Sequence, residues 1–137
     1  MILFDTHAAI WAGVNDPRLG EASRRLMERA AAEDAARISA ITPWEIAMLV
    51  AKDRVALGKP AGDWVRAFLA QPGVEIVPLT PDIAVDAGML PDSIHGDPAD
   101  RIIIATARAM DCPVLTADGK MLRYGKAGFL GIVDARR

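Results

Sequence analysis

The feature that most limits the fold is an alternation. Short apolar runs at residues 2–4, 37–40, 74–77, 114–116 and 131–133 are separated by longer stretches with helical spacing. Runs this short and apolar suit strands buried on both faces. Strands that alternate with helices pair in parallel, because each crossover returns the chain to the same end of the sheet. The expected fold is therefore α/β: a three-layer α/β/α sandwich around a mainly parallel sheet. "GEASRRLMERAAAEDAA" (20–36) has no internal breaker and reads as a helix. Further helices are expected at 42–52, 61–71, 80–90 and 97–110, each opened by a capping residue, a proline or both. Another helical pattern (Ala8, Ile10, Trp11) begins directly after Asp5, and "PDSIHG" (91–96) reads as a loop.

At 137 residues the chain is expected to form one domain, 1–137, with a core of ordinary size. Its net charge of −2 excludes a globally basic surface, so any nucleic acid must be held by a local patch. The single Cys112 permits no internal disulfide and suits a reducing cytoplasm; flanked by Asp111 and Pro113, it reads as a small core residue at a helix end. No apolar run approaches the roughly 18 residues of a membrane span. "MILF" is too short for a signal peptide. The expected location is the cytoplasm.

Acids sit at four junctions where strands give way to helices. Asp5 follows the first strand, Glu45 lies in "ITPWE", Asp97 and Asp100 open the most apolar helix in "HGDPAD", and Asp118 follows "VLT". Each has a plain structural role available. Asp5 or Thr6 can cap a helix, "TPWE" fits a capping box, "DPAD" supplies a cap and a first-turn acid, and "TADG" fits a turn. Together they mean more, because in an open α/β sheet the ligand site lies beyond the carboxyl ends of the strands. Carboxylates about 4 Å apart repel by roughly 4 kcal/mol per pair at an effective dielectric near 20. A hard divalent cation reverses that sign, and Mg²⁺ or Mn²⁺ prefers carboxylate oxygen and water. The pattern favours an acidic metal site.

The segments "LFDTHAAIW", "TPWEIAMLVAKDR", "HGDPADRIIIATA" and "VLTAD" resemble the PIN-domain ribonucleases, and among them the VapC-type toxins of toxin–antitoxin pairs. They follow the family's order and cover nearly the whole chain. The resemblance implies a PIN-like sandwich whose acidic pocket hydrolyses RNA phosphodiester bonds with Mg²⁺ or Mn²⁺, leaving 5′-phosphate and 3′-OH ends. By position it assigns catalysis and metal binding to Asp5, Glu45 and Asp100, with Asp118 as a fourth, more variable acid. Asp97 stands either as a further ligand or as the cap ahead of Pro98. Thr6 and Thr116 match hydroxyl positions at the pocket edge, suited to orienting an acid or a phosphate. Arg101 is expected to pair with a neighbouring acid or touch phosphate. A small antitoxin partner is implied as well, laying an apolar helix in a groove and directing an Arg at the carboxylates.

Other residues draw weaker readings. His7 and His95 are read as substrate contacts or surface positions ahead of catalytic bases. Trp11, Trp44 and Trp64 are read as core or interface anchors, and Glu21, Arg24, Arg25, Glu28 and Arg29 as a solvated helix face. Lys120, Arg123 and Lys126, beside Tyr124, form the RNA-facing patch because they follow Asp118. Ile102, Ile103 and Ile104 encircle their helix, and with the apolar stretches 44–52 and 63–70 they suggest a surface that buries itself in a homodimer. Two rival functions remain. One is a Mg²⁺-dependent phosphotransfer or phosphatase-type protein, although a dehalogenase-like phosphatase would carry an acid where His7 stands. The other is a non-catalytic binding module whose acids are only caps.

Overall fold

The computed structural model describes every residue of 1–137 except Ser93 and His95. Among these described residues five strands form one sheet: β1 (Ile2–Phe4), β2 (Ala36–Ser39), β3 (Val74–Val77), β4 (Val114–Thr116) and β5 (Ile132–Asp134). Every pairing is parallel and the order is β3-β2-β1-β4-β5. The chain builds outward from β1 to β3, then crosses back to add β4 and β5 on the other side of β1. This reversal leaves a crevice beyond the carboxyl ends of β1 and β4.

Among the described residues seven helices cover the sheet: α1 (Thr6–Gly13), α2 (Glu21–Ala32), α3 (Thr42–Ala51), α4 (Ala61–Leu69), α5 (Pro81–Gly88), α6 (Pro98–Met110) and α7 (Gly119–Lys126). Side chains alternate across the strands and divide the core in two. Ile2, Phe4 and Ile38 pack with residues of α1 to α4, including Trp11, Met27, Ile46 and Trp64. Leu3, Val77 and Val114 pack with residues of α5 to α7, including Ile83, Ile103, Ile104 and Met121. The expected three-layer sandwich is thus what forms.

Four local readings are corrected. The helix expected to run to residue 36 ends at Ala32: Asp34 turns at φ 56°, because Ala36 must already lie opposite Ile2 in the sheet. β2 and β5 are each displaced by one residue from the expected runs. The third concerns "TADG", which is no mere turn, since Asp118 accepts from the Lys120 N–H and opens α7. Gly119 and Gly125 mask that helix from propensity. Gly125 is required there, since a Cβ would sit within 2.8 Å of three Ile132 carbons.

The fourth is the capping box at "TPWE". Ile41 is the cap of α3 and makes no side-chain capping bond. The Thr42 hydroxyl bonds that of Thr6 instead, at 3.1 Å across the fold. Glu45 is therefore not occupied as a capping residue.

Candidate functional site

The crevice holds a cavity of about 320 Å³ lined by Asp5, His7, Trp11, Glu45, Asp97, Asp100, Ala117 and Asp118. All five acids singled out from the sequence meet here, from four separate junctions of the fold. Roomier clefts of about 550 and 340 Å³ lie elsewhere, but neither brings acids together: one has Asp111 alone in its lining and the other Glu28 alone.

Each acid is held by local chemistry. Asp5, at the end of β1, is buried; its Oδ1 accepts the Thr6 N–H at 2.7 Å and its Oδ2 the Thr116 hydroxyl at 2.7 Å. The same Thr116 oxygen accepts the Asp118 N–H at 3.0 Å, so one hydroxyl ties the end of β1 to the turn after β4. Asp97 caps α6 through Oδ1, accepting from Ala99 N–H at 2.9 Å and Asp100 N–H at 3.2 Å. Asp118 caps α7 in the same manner. The capping readings for Asp5 and Asp97 therefore hold, and Asp118, read as a turn residue, proves to be a cap as well, yet capping does not explain the convergence.

Glu45 decides between the two accounts. It is 7% exposed, and its Oε1 is buried without a hydrogen-bond partner. An orphaned buried carboxylate oxygen is costly unless something positive meets it. Oxygens of Glu45, Asp97 and Asp100 all lie within 4.8 Å of one another. Such a donor set, hard and anionic, fits a divalent cation.

The electrostatics agree. Burial raises the Asp100 pKa to about 8, and the charges of Asp5, Asp97, Asp118 and Glu45 add to the shift. Burial likewise raises Glu45, partly offset by the Thr6 hydroxyl and reinforced by the charge of Asp5. Asp5 is raised by burial, against the lowering effects of Thr116, His7 and the Thr6 N–H. Without a cation these acids hold protons at a pH where ordinary carboxylates have lost them.

The remaining candidates divide. The Thr116 hydroxyl donates to Asp5, while the buried Thr6 links α1 to Thr42 and supports Glu45. Arg101 is a correction: it is absent from the cavity lining, and its guanidinium donates to the carbonyls of Ala87, Gly88 and Ile94, tying α6 to the end of α5. Arg101→Ala should therefore lower stability by about 1–2 kcal/mol in urea melts and leave cation affinity unchanged. Tyr124 leaves the basic patch too, being buried and bonded to the Pro91 carbonyl, whereas Lys120, Arg123 and Lys126 are not buried. The reading of His95 lies outside the described residues. Trp11, expected as a core or interface anchor, also lines the cavity; its place one helical turn after the cavity residue His7 is the signal for that second role.

Comparison with known proteins adds a family. The PIN domain matches residues 2–127. The chain is 34% identical over 120 residues to Ribonuclease VapC22 of Mycobacterium tuberculosis, covering 88% of each chain. Among solved structures it is similar to VapBC2 from Rickettsia felis bound to a promoter DNA fragment, with a TM-score of 0.71 at 19% identity over 97% of this chain and 98% of that one. It is also similar to a toxin–antitoxin complex from Klebsiella pneumoniae, with a TM-score of 0.61 at 25% identity over 98% of both chains.

Proposed function

Because the chain belongs to the PIN-domain family, we propose that it is a divalent-metal-dependent endoribonuclease, the toxin of a toxin–antitoxin pair, working as one domain across 1–137. The observation that carries this is the convergence of Asp5, Glu45, Asp97, Asp100 and Asp118 on one cavity, with the Glu45 oxygen orphaned inside it. Glu45, Asp97 and Asp100 would hold Mg²⁺ or Mn²⁺, with Asp5 and Asp118 completing the negative wall. When bound, the cation supplies positive charge for the phosphodiester and an activated water. The chain's own part is positioning. Thr116 and the Thr6 N–H hold Asp5 in one rotamer, and Asp97 and Asp118 are fixed by the helices they cap. Mg²⁺ is favoured over softer ions because the five donors are all carboxylates.

The partners follow from the family. A small antitoxin is the natural inhibitor, and the exposed apolar side chains Trp44, Val85 and Met89, from 58% to 77% exposed, suit burial in a homodimer. Among the described residues no helix is long and apolar enough to cross a membrane, and a cytoplasmic site of action is part of this proposal.

Titration tests the cation reading. The Asp100 pKa rises from 3.8 to about 8 on folding. A raised folded-state pKa means that stability is present below the unfolded value and is lost as pH climbs through the folded one. The cation-free protein should melt at progressively lower temperature from about pH 4 to pH 8. A cation competes with that proton, so calorimetry should show Mn²⁺ affinity rising about tenfold per pH unit below pH 8. Affinity unchanged between pH 6 and pH 8 would count against a site built on these acids.

A further inference from the structure

We propose that His7 grips a nucleobase of single-stranded RNA at the cavity mouth, with Trp11 and Arg18 as the residues that position it; this rests on the ribonuclease reading above. His7 is exposed on the first turn of α1, so a substrate can reach it, and it lines the same cavity as the acids. One turn further along α1, Trp11 is 8% exposed and meets the imidazole edge-on, with ring centroids 6.5 Å apart at 67°. The Arg18 guanidinium lies over the Trp11 ring, 4.9 Å from its centroid. Arg18 is locked in turn by both carboxylate oxygens of Asp16, at 2.7 to 3.2 Å, and the Asp16 N–H donates to the Trp11 carbonyl at 2.8 Å.

This arrangement is a built wall. An exposed imidazole would ordinarily sample several rotamers, and ordering it on binding would weaken the complex. Here three successive side chains limit it before RNA arrives, which favours binding. Its surroundings define what it takes. Apart from Ala117, the rest of the described cavity lining is acidic and is suited, with a cation, to phosphate. Among the described lining residues His7 and Trp11 are the ones that carry a ring, and a flat ring accepts any base by its face. Bases stacked and paired in a duplex cannot reach it, so the ligand is single-stranded.

The test is binding of a fluorescent eight-nucleotide RNA to protein carrying Asp100→Asn, alongside cleavage by protein that retains Asp100. His7→Ala should weaken binding about tenfold, or ~1.4 kcal/mol, and raise KM by a similar factor while kcat moves little. Arg18→Ala, in an exposed ion pair that the fold does not need, should weaken binding about threefold with an unchanged melting curve, and Arg18→Lys, which keeps the charge but loses the planar fork onto Asp16, should not restore it. An abasic nucleotide at the cleavage position should erase the difference between protein with His7 and protein carrying His7→Ala. Equal binding with and without His7 overturns the inference, as does an equal loss on duplex RNA, which would mark a phosphate contact. Cleavage by unsubstituted protein reports separately: if no RNA is cut with Mg²⁺ or Mn²⁺, the ribonuclease reading fails, whereas normal cutting with indifferent His7 variants sinks this inference alone.

Discussion

Asp100→Asn should reduce RNA cleavage by about 10³-fold or more while making the cation-free protein more stable at pH 8. Asparagine keeps the shape of the side chain and removes its charge. That charge is what burial and the four neighbouring acids oppose, as the pKa of about 8 records. Relieving it should raise the melting temperature by roughly 3 °C, and added Mn²⁺ should then stabilise the variant far less than it stabilises the parent. Opposed changes in stability and activity are expected where a site holds like charges together for function. A variant that cuts RNA near the parental rate, or melts well below it, would remove Asp100 from the proposed site. Asp5→Asn should match the loss of activity but not the gain in stability. Its two oxygens already accept from Thr6 and Thr116, and an amide nitrogen cannot replace either acceptor.

Thr116→Val is the second large effect, and it acts without touching an acid. Valine matches threonine in shape, so the tight packing around this fully buried residue survives. Two hydrogen bonds are lost together: the one donated to Asp5 Oδ2 and the one accepted from the Asp118 N–H. Asp5 Oδ2 is left buried without that donor, and the turn that carries Asp118 is released. We expect stability to fall by about 1–3 kcal/mol and single-turnover cleavage to fall about 10- to 100-fold. Thr116→Ser should restore both. Full activity in the valine variant would show that neither acid needs this tether.

The layers and the acids were legible in the sequence for the same reason. A parallel sheet demands short apolar runs, and its ligand site must lie where those runs end, so Asp5 and Asp118 could be placed from the chain alone. Glu45 and Asp100 followed because each opens a helix. What escaped was set by contacts between distant parts of the chain. Thr42 looks like a capping residue until Thr6, on another helix, claims its hydroxyl. Arg101 follows a carboxylate in sequence, but helical geometry points it at the end of α5. The helix after Asp118 is hidden by two glycines, one of which exists to admit Ile132. Asp97 stayed open to two readings because both are physically available to it. Its Oδ1 caps α6, while the carboxylate still comes within 4.8 Å of Glu45 and Asp100.

The central claim is that this acidic cavity hydrolyses RNA only with a divalent cation. The direct measurement is cleavage of a single-stranded RNA by the purified chain with Mg²⁺, with Mn²⁺ and with excess EDTA, each repeated with Asp100→Asn. The account predicts cutting by the parent with either cation, none with EDTA, and none above background for the variant in any condition. RNA cut equally well by parent and variant, or cut undiminished in EDTA, would contradict it.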